Sequence, residues 1–341
     1  MVAIISVTNM DVAGDGGNGL ATSFDLKLDE YINVDPALLH YQQVAEFAVP
    51  LEESRAIAAG PEDAIYIAGD ECVVVLTAEG TTIPGRDDSA PAIPLAAAPT
   101  CLAVGLAEHA HPGRIYVGVG DHVETFSPRG DAVATWESLG EKAVLTSIAV
   151  AEEDVFIADA GNRVVWRFHV DGERMGKIGE PDPQRGIRGF VIPSPYFDVA
   201  VTHEPLLRVV NPGARRVEAF TFDGDPMIHW GEAGPDIDRF FGCCNPVNMC
   251  LLPDGRFVTA EKGLPRVKVF SIGGEFESVV AGPKHLTPTA TKAAETRSNH
   301  QMKIFDIAAD SRGRVLVLDP HQPSVRVFER KDEGQEPKDE T

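Results

Sequence analysis

The chain has 341 residues, a formal charge of −22, and 43% hydrophobic and 7% aromatic residues, with 32 Gly and 25 Pro. This is the profile of a globular, turn-rich protein rather than a disordered one, and so acidic a surface repels polyphosphate, which argues against general nucleic-acid binding. No apolar run approaches the roughly 18–20 residues of a membrane-spanning helix, and five cysteines, an odd number, do not make a disulfide scaffold.

The opening "MVAIISVTNMD" has a short apolar stretch but neither a basic n-region nor a small-residue cleavage site. It does not read as a signal peptide, and the compartment stays open. Residues 1–40 read as a partly disordered N-terminal extension. At the other end "ERKDEGQEPKDET" carries six acids against three bases, which leaves about −19 on the rest of the chain, and residues 329–341 read as a charged disordered tail.

Between these ends the sequence repeats itself. The first predicted element, "YQQVAEFAV" (Tyr41–Val49), is a lone strand. Six hairpin patterns follow: "IYIAGDECVVVL" (Ile65–Leu76), "IYVGVGDHVETF" (Ile115–Phe126), "VFIADAGNRVVWRF" (Val155–Phe168), "LRVVNPGARRVEAF" (Leu207–Phe220), "FVTAEKGLPRVKVF" (Phe257–Phe270) and "VLVLDPHQPSVRVF" (Val315–Phe328). Each is an apolar alternating run, a polar turn, and a second apolar run ending in Phe or Leu. A short apolar segment precedes each hairpin, and after the first five a glycine follows at a fixed interval: Gly80, Gly130, Gly172, Gly224 and Gly274. A fourth extended segment completes these units. From Ile65 to Val315 the five steps average 50 residues, the period of propeller blades. The expected fold is therefore all-β: a six-bladed β-propeller of four-stranded antiparallel blades over residues 41–328. The sixth unit lacks a fourth strand, and the lone strand at Tyr41–Val49 is expected to supply it and cover two exposed edges.

The third unit, "VFIADAGNRVVWRFHVDGERMGKIGE", resembles the NHL-repeat family in its D-x-x-N turn and its D-G before the last strand. "LLRVVNPGARRVEAFTFDGDPMIHWG" is a looser copy. "GCCNPVNMCLLPDGRFVTAEKGLPRVKVF" resembles uncharacterised bacterial NHL-type propellers, a likeness that implies the fold and no particular activity.

In a propeller the connection between blades (strand d to the next strand a) and the b–c turn within each blade lie on one face, commonly the binding face. "RFFGCCNP" is a d–a connection entering blade five, so Cys243 and Cys244 are expected to share a rim with the b–c turns. Counting back from each hairpin puts Cys250 in the apolar slot of Ile57, Leu102, Ile148, Val199 and Ile307, where it reads as a small buried hydrophobe. Adjacent cysteines fit no common zinc spacing. Three readings of Cys243 and Cys244 compete: a reducible vicinal disulfide, thiolates on a soft metal with His300 as third ligand, or plain loop packing.

Position five of the hairpin pattern is polar in the last four blades: Asp159, Asn211, Glu261 and Asp319. As a ring these could hold Ca²⁺ or a catalytic divalent ion; as turn residues they would simply accept backbone hydrogen bonds. Blades one and two offer only Asp70 and Asp121, each shifted by one position. Cations gather in the b–c turns, with Arg163, Arg215, Arg216, Lys262 and Arg266 there and Lys142 and Lys303 in d–a connections, a pattern that focuses anions against an acidic body. "VIPSPYFD" enters blade four and offers Tyr196 as an aromatic wall. "AEHAHPG" (with His109 and His111) is expected to be a solvated a–b turn on the opposite face.

The function expected from these features is a non-catalytic binding propeller, monomeric and with no assured cofactor. Its ligand would be an anionic small molecule or a protein segment on the face carrying Cys243, Cys244, Asn245, Glu261, Lys262 and Arg266, with Tyr196 and Arg215 beside them. The runner-up is a metal-dependent, lactonase-like hydrolase using the position-five oxygens, or a thiol or soft-metal redox protein using Cys243, Cys244 and His300.

Overall fold

A computed structural model describes residues 31–83, 92–287 and 304–331. Twenty-four strands form six separate four-stranded sheets. A lone strand β1 (Tyr41–Ala48) comes first. Blade one is β2–β5 (Ser54–Ala59, Ile65–Gly69, Cys72–Leu76, Ala92–Pro94) and blade two is β6–β9 (Pro99–Val104, Ile115–Val119, His122–Phe126, Ala132–Thr135). Blade three is β10–β13 (Leu145–Val150, Asp154–Asp159, Val164–His169, Arg174–Ile178) and blade four is β14–β17 (Val199–Val201, Leu206–Asn211, Arg216–Thr221, Pro226–Trp230). Blade five is β18–β21 (Asn248–Leu251, Phe257–Glu261, Arg266–Phe270, Phe276–Ala281), and β22–β24 (Asp306–Ala309, Val315–Asp319, Ser324–Arg330) form the first three strands of blade six. All pairings within the sheets are antiparallel, as expected for strands joined by tight turns.

The ring closes as the mismatched ends of the repeat require. β1 pairs with β24, from Tyr41 opposite Arg330 to Ala48 opposite Ser324, with an irregularity between Gln43 and Ala45. The first strand is thus the outer strand of the last blade. The hydrophobic core divides into six clusters, one per blade interface, and the one joining blades six and one contains Ile57, Ile65, Leu316 and Val325. Six interfaces for six blades leave no open seam.

The b strands are buried along their whole length, as at Ile65–Gly69, Ile115–Val119 and Val315–Asp319, which accounts for their nearly unbroken apolar sequence. The outer strand of blade two, β9, is exposed throughout, whereas that of blade five, β21, is buried from Ser278 to Ala281. The glycine after each hairpin has a packing reason. Gly274 has φ +89° and lies against Trp230, the last residue of blade four's outer strand, so that a Cβ there would stand 2.2 Å from the indole. Gly172 receives Trp136 of blade two in the same way. In this way five of the six blades, all but blade five, key a side chain of the outer strand or its end into the next blade.

The segment ahead of β1 is ordered from Tyr31 onward within the described residues. Its Tyr31 ring lies 5.7 Å from that of Phe241, and Leu39 bridges to Val279 of β21, so this stretch packs on blade five. The remainder of the expected N-terminal extension, and residues 332–341 of the expected tail, lie outside the described residues.

Candidate functional site on the blade-five rim

Residues 231–247, between β17 and β18, form a long connection that pairs with itself at Ala233 and Phe240 and turns further carbonyls toward blade five. The c strand of blade five supplies the donors. Lys268 Nζ donates to the carbonyls of Ile237 (3.1 Å) and Arg239 (2.8 Å), and the Arg266 guanidinium reaches those of Pro235 and Asp236 at 3.3–3.4 Å. Lys268 also forms a wholly buried ion pair with Glu261 at 2.5 Å, and its ammonium sits over the rings of Phe240 and Phe270. Burial pushes the Lys268 pKa down, with Glu261 opposing the shift. The second Glu261 oxygen accepts from Phe241 N at 2.9 Å. Glu261, Arg266 and Lys268 therefore hold the loop down. Arg266, expected to present charge at the mouth, is 1% exposed and engaged with carbonyls and the Phe241 ring.

The held loop positions the cysteines. Asn245, 2% exposed, donates from Nδ2 to the carbonyls of Phe241 (2.6 Å) and Lys262 (3.0 Å) and accepts from Lys262 N at 2.8 Å; the Asn245–Pro246 bond is cis. These bonds join the Cys-Cys corner to the b–c turn of blade five, so the two share a rim. Cys243 is exposed and Cys244 buried, both are free thiols, and their sulfurs are 3.2 Å apart. Lys262 Nζ donates to Ser194 Oγ at 2.8 Å and lies 4.5 Å from the centre of the Tyr196 ring. Among the described residues Lys262 forms no ion pair. Burial lowers the Lys262 pKa, which the two thiols oppose only in part; burial and then Cys243 raise that of Cys244, which the Lys262 ammonium opposes only in part.

Ser194 and Tyr196 come from the connection into blade four, so two blades contribute to one cluster. Of its members Tyr196 alone also lines the central channel, a cavity of about 1860 Å³ walled by the a strands. The cluster thus stands at the channel's rim rather than within it. Arg215, at φ +54° in the b–c turn of blade four, faces the same side; its Nε is buried without a hydrogen-bond partner.

The position-five residues do not converge. Asp159 accepts from the backbone of Val144 and Asn162 and from Trp166 Nε1, Asn211 Oδ1 accepts from Val191 N, and Asp319 accepts from His321 N and pairs with Arg326. Each oxygen ties down its own blade's turn or the connection entering that blade, and the out-of-step Asp70 does the same by accepting from Glu52 N and Glu53 N. Among the described residues no three His, Cys, Asp or Glu side chains are grouped to hold a metal ion. His300 lies outside the described residues.

Two further expectations need correction. Cys250 is one place beyond the expected slot. Met249 pairs with Thr259 as Ile57 pairs with Ile67 and Ile307 with Val317, because the a–b turn of blade five has the same five residues between its closing pair as those of blades one, four and six, whereas that of blade three is one residue shorter. Cys250 instead matches Ala58, Ala103, Ala149, Ala200 and Ala308, a row of small residues along the channel. His109 is not solvated but 5% exposed: its Nδ1 accepts from His111 N, and its Nε2 is 3.2 Å from the Tyr116 hydroxyl.

The channel also holds groups that sequence patterns did not flag. Asp198 immediately precedes the a strand of blade four and Asp306 opens that of blade six; they accept from Met249 N of blade five and Ile57 N of blade one. Burial pushes their pKa values up to about 6 and about 7.

No protein-family model matches the chain, and no curated protein matches it in sequence. Solved structures do match its fold. A streptogramin B lyase structure superposes with TM-score 0.57 at 12% identity, covering 87% of this chain and 100% of that one. A structural-genomics protein of unknown function from Bacteroides thetaiotaomicron gives 0.57 at 14% identity over 84% and 71%. The WD40 propeller domain of Doa1 gives 0.54 at 11% identity over 86% and 98%. These likenesses place the chain among β-propellers, a generic binding scaffold.

Proposed function

We propose that this protein, an NHL-type propeller by its third repeat, binds an anionic small molecule on the rim formed by Cys243, Cys244, Lys262, Ser194 and Tyr196, with Arg215 on the same face. A lyase and a WD40 domain share the architecture, so the reading rests on the site and not on the fold. The observation that carries it is Lys262: an ammonium over an aromatic ring, half-buried and without a carboxylate partner among the described residues, on a chain of charge −22. An arriving anion restores the solvation that burial has removed from that ammonium. Glu261, Asn245 and Arg266 act behind the surface by holding the loop that presents the thiols.

The test is a thermal-shift screen of anionic metabolites at low ionic strength, followed by titration of the hits against Lys262→Met. Binding should weaken at least tenfold in the variant and fall with added salt. Ligands that bind equally well to Lys262→Met would refute the site. An acidic peptide binding where small anions do not would move the ligand class to a protein segment.

The sulfur separation favours a second reading, a thiol redox site. Here Cys243 and Cys244 join as a vicinal disulfide, passing two electrons and two protons to a disulfide or hydroperoxide oxidant. Thiol counts before and after reduction, together with elemental analysis, decide it. Two extra thiols on reduction support the redox reading, whereas a stoichiometric soft metal points to thiolate ligation.

A further inference from the structure

Five cationic side chains are buried among the described residues: Arg208, Arg266, Lys268, Arg314 and Arg326. Four are met by oxygens. Arg266 and Lys268 hold loop carbonyls, Arg314 pairs with Asp310 and reaches Ala78 O, and Arg326 pairs with Asp319 and reaches His285 O. Arg208 is the exception. It is 4% exposed; an orphaned Nε it shares with Arg266 and Arg326, but Arg208 alone has no carbonyl or carboxylate hydrogen-bonded to any part of its guanidinium among the described residues. Among the described residues its near contact is the Phe257 ring, 5.4 Å away, and Glu204 acts on it through charge alone, with no ion pair formed. A buried guanidinium that neither hydrogen-bonds nor pairs directly is costly to keep and calls for an explanation.

Position supplies one. Arg208 is the third residue of β15, near the a–b turn of blade four, and it lines the central channel with Phe222, Ile272, Pro205 and Leu252. That end is opposite to the rim carrying Lys262. Ile272 is 59% exposed, so the pocket opens to solvent past an apolar lip.

We propose that Arg208 is the anchor of a second ligand site, on the a–b face between blades four and five, that takes a small monocarboxylate with an apolar body. The guanidinium fork matches a carboxylate in two parallel hydrogen bonds, and Phe222 and Ile272 offer the body its surface. Glu204 and Asp254 stand among the channel's lining residues at this end. They repel a dianion more than a monoanion, which disfavours phosphate.

The experiment titrates the full chain with acetate, butyrate, hexanoate and benzoate at fixed ionic strength, with chloride and inorganic phosphate as controls. Hexanoate and benzoate should raise the melting temperature more than acetate, and phosphate should not. In Arg208→Met the unliganded protein should melt at the same or a higher temperature, because an apolar side chain replaces an unpaired charge. Carboxylate affinity should fall at least tenfold there and stay unchanged in Arg129→Met, which removes an exposed charge placed in neither site. The proposal is overturned by any of four results: no carboxylate binding at about 10 mM, where even a millimolar site would fill; binding that survives Arg208→Met; binding lost in Lys262→Met instead; or an Arg208→Met protein that melts earlier while the wild type ignores carboxylates, which would make Arg208 a structural partner of Phe257.

Discussion

The carboxamide of Asn245 grips the backbone of Lys262 at both of its polar groups, donating to the carbonyl at 3.0 Å and accepting from the amide at 2.8 Å. One side chain thus fixes the Cys-Cys corner to the turn bearing the lysine. Asn245→Ala leaves Lys262 N–H and two carbonyls without these partners, and each buried group so stranded costs about 1–3 kcal/mol. The expected results are a lower denaturation midpoint and faster alkylation of Cys244. Unchanged alkylation rates would show that the corner keeps its shape without the clamp.

Glu261 and Lys268 form the other fastening, a pair with both side chains fully buried. Removing one partner strands the other, so Lys268→Met should cost about 3–5 kcal/mol, and Glu261→Gln less because it stays polar without a charge. The two changes together should cost less than their sum, since the double variant buries no lone charge. Urea denaturation of the four proteins yields the coupling; strict additivity would mean that the pair does not act as one.

Gly274 carries the keying of one blade into the next. With φ +89° and a Cβ position 2.2 Å from Trp230, Gly274→Ala meets both backbone strain and overpacking. The overpacking alone is expected to cost about 1–3 kcal/mol. Gly242, at φ +80° but facing open space, is the internal control, and Gly242→Ala should lose about 1–2 kcal/mol from backbone strain alone. Equal losses in the two variants would argue against the packing role of Trp230.

The repeat made the ring, the strand order and the closure readable, because a b strand buried on both faces must be continuously apolar and a d strand without a parent must pair somewhere. The shared rim was readable from topology alone. Register within blade five was not: the a–b turns differ in length, four residues between the closing pair in blade three against five in blades one, four, five and six, and a one-residue miscount put Cys250 in the large apolar row instead of the small one. The interior cations were missed for a related reason. Lys268 in "RVKVF" occupies a position that looks like any outward-facing strand residue. It is buried because a seventeen-residue connection, Gly231–Val247, folds over blade five and needs donors. Arg208 in "LLRVVN" carries no pattern of its own. Ser194 reaches Lys262 only because adjacent blades bring two connections side by side.

Asp306 sets a pH dependence with a definite sign. Its folded pKa is raised from 3.8 to about 7, chiefly by burial and then by the charge of Asp198, which is itself raised to about 6. A carboxyl that holds its proton more tightly when folded favours folding at low pH. That contribution is full below about pH 4 and is lost as pH rises through the folded value near 7. Asp63 and Asp254, whose pKa values are lowered, act in the opposite direction, so wild type alone shows only the balance. The difference between wild type and Asp306→Asn isolates the term. Relative to the variant, wild type should lose stability between about pH 4 and 7, by up to about 4 kcal/mol at 1.36 kcal/mol per pKa unit. Asp198→Asn should shrink that loss by removing the charge that lifts Asp306. Urea midpoints measured every half unit of pH test this directly, and parallel curves for wild type and Asp306→Asn would show that the channel carboxyl titrates as though it were in water.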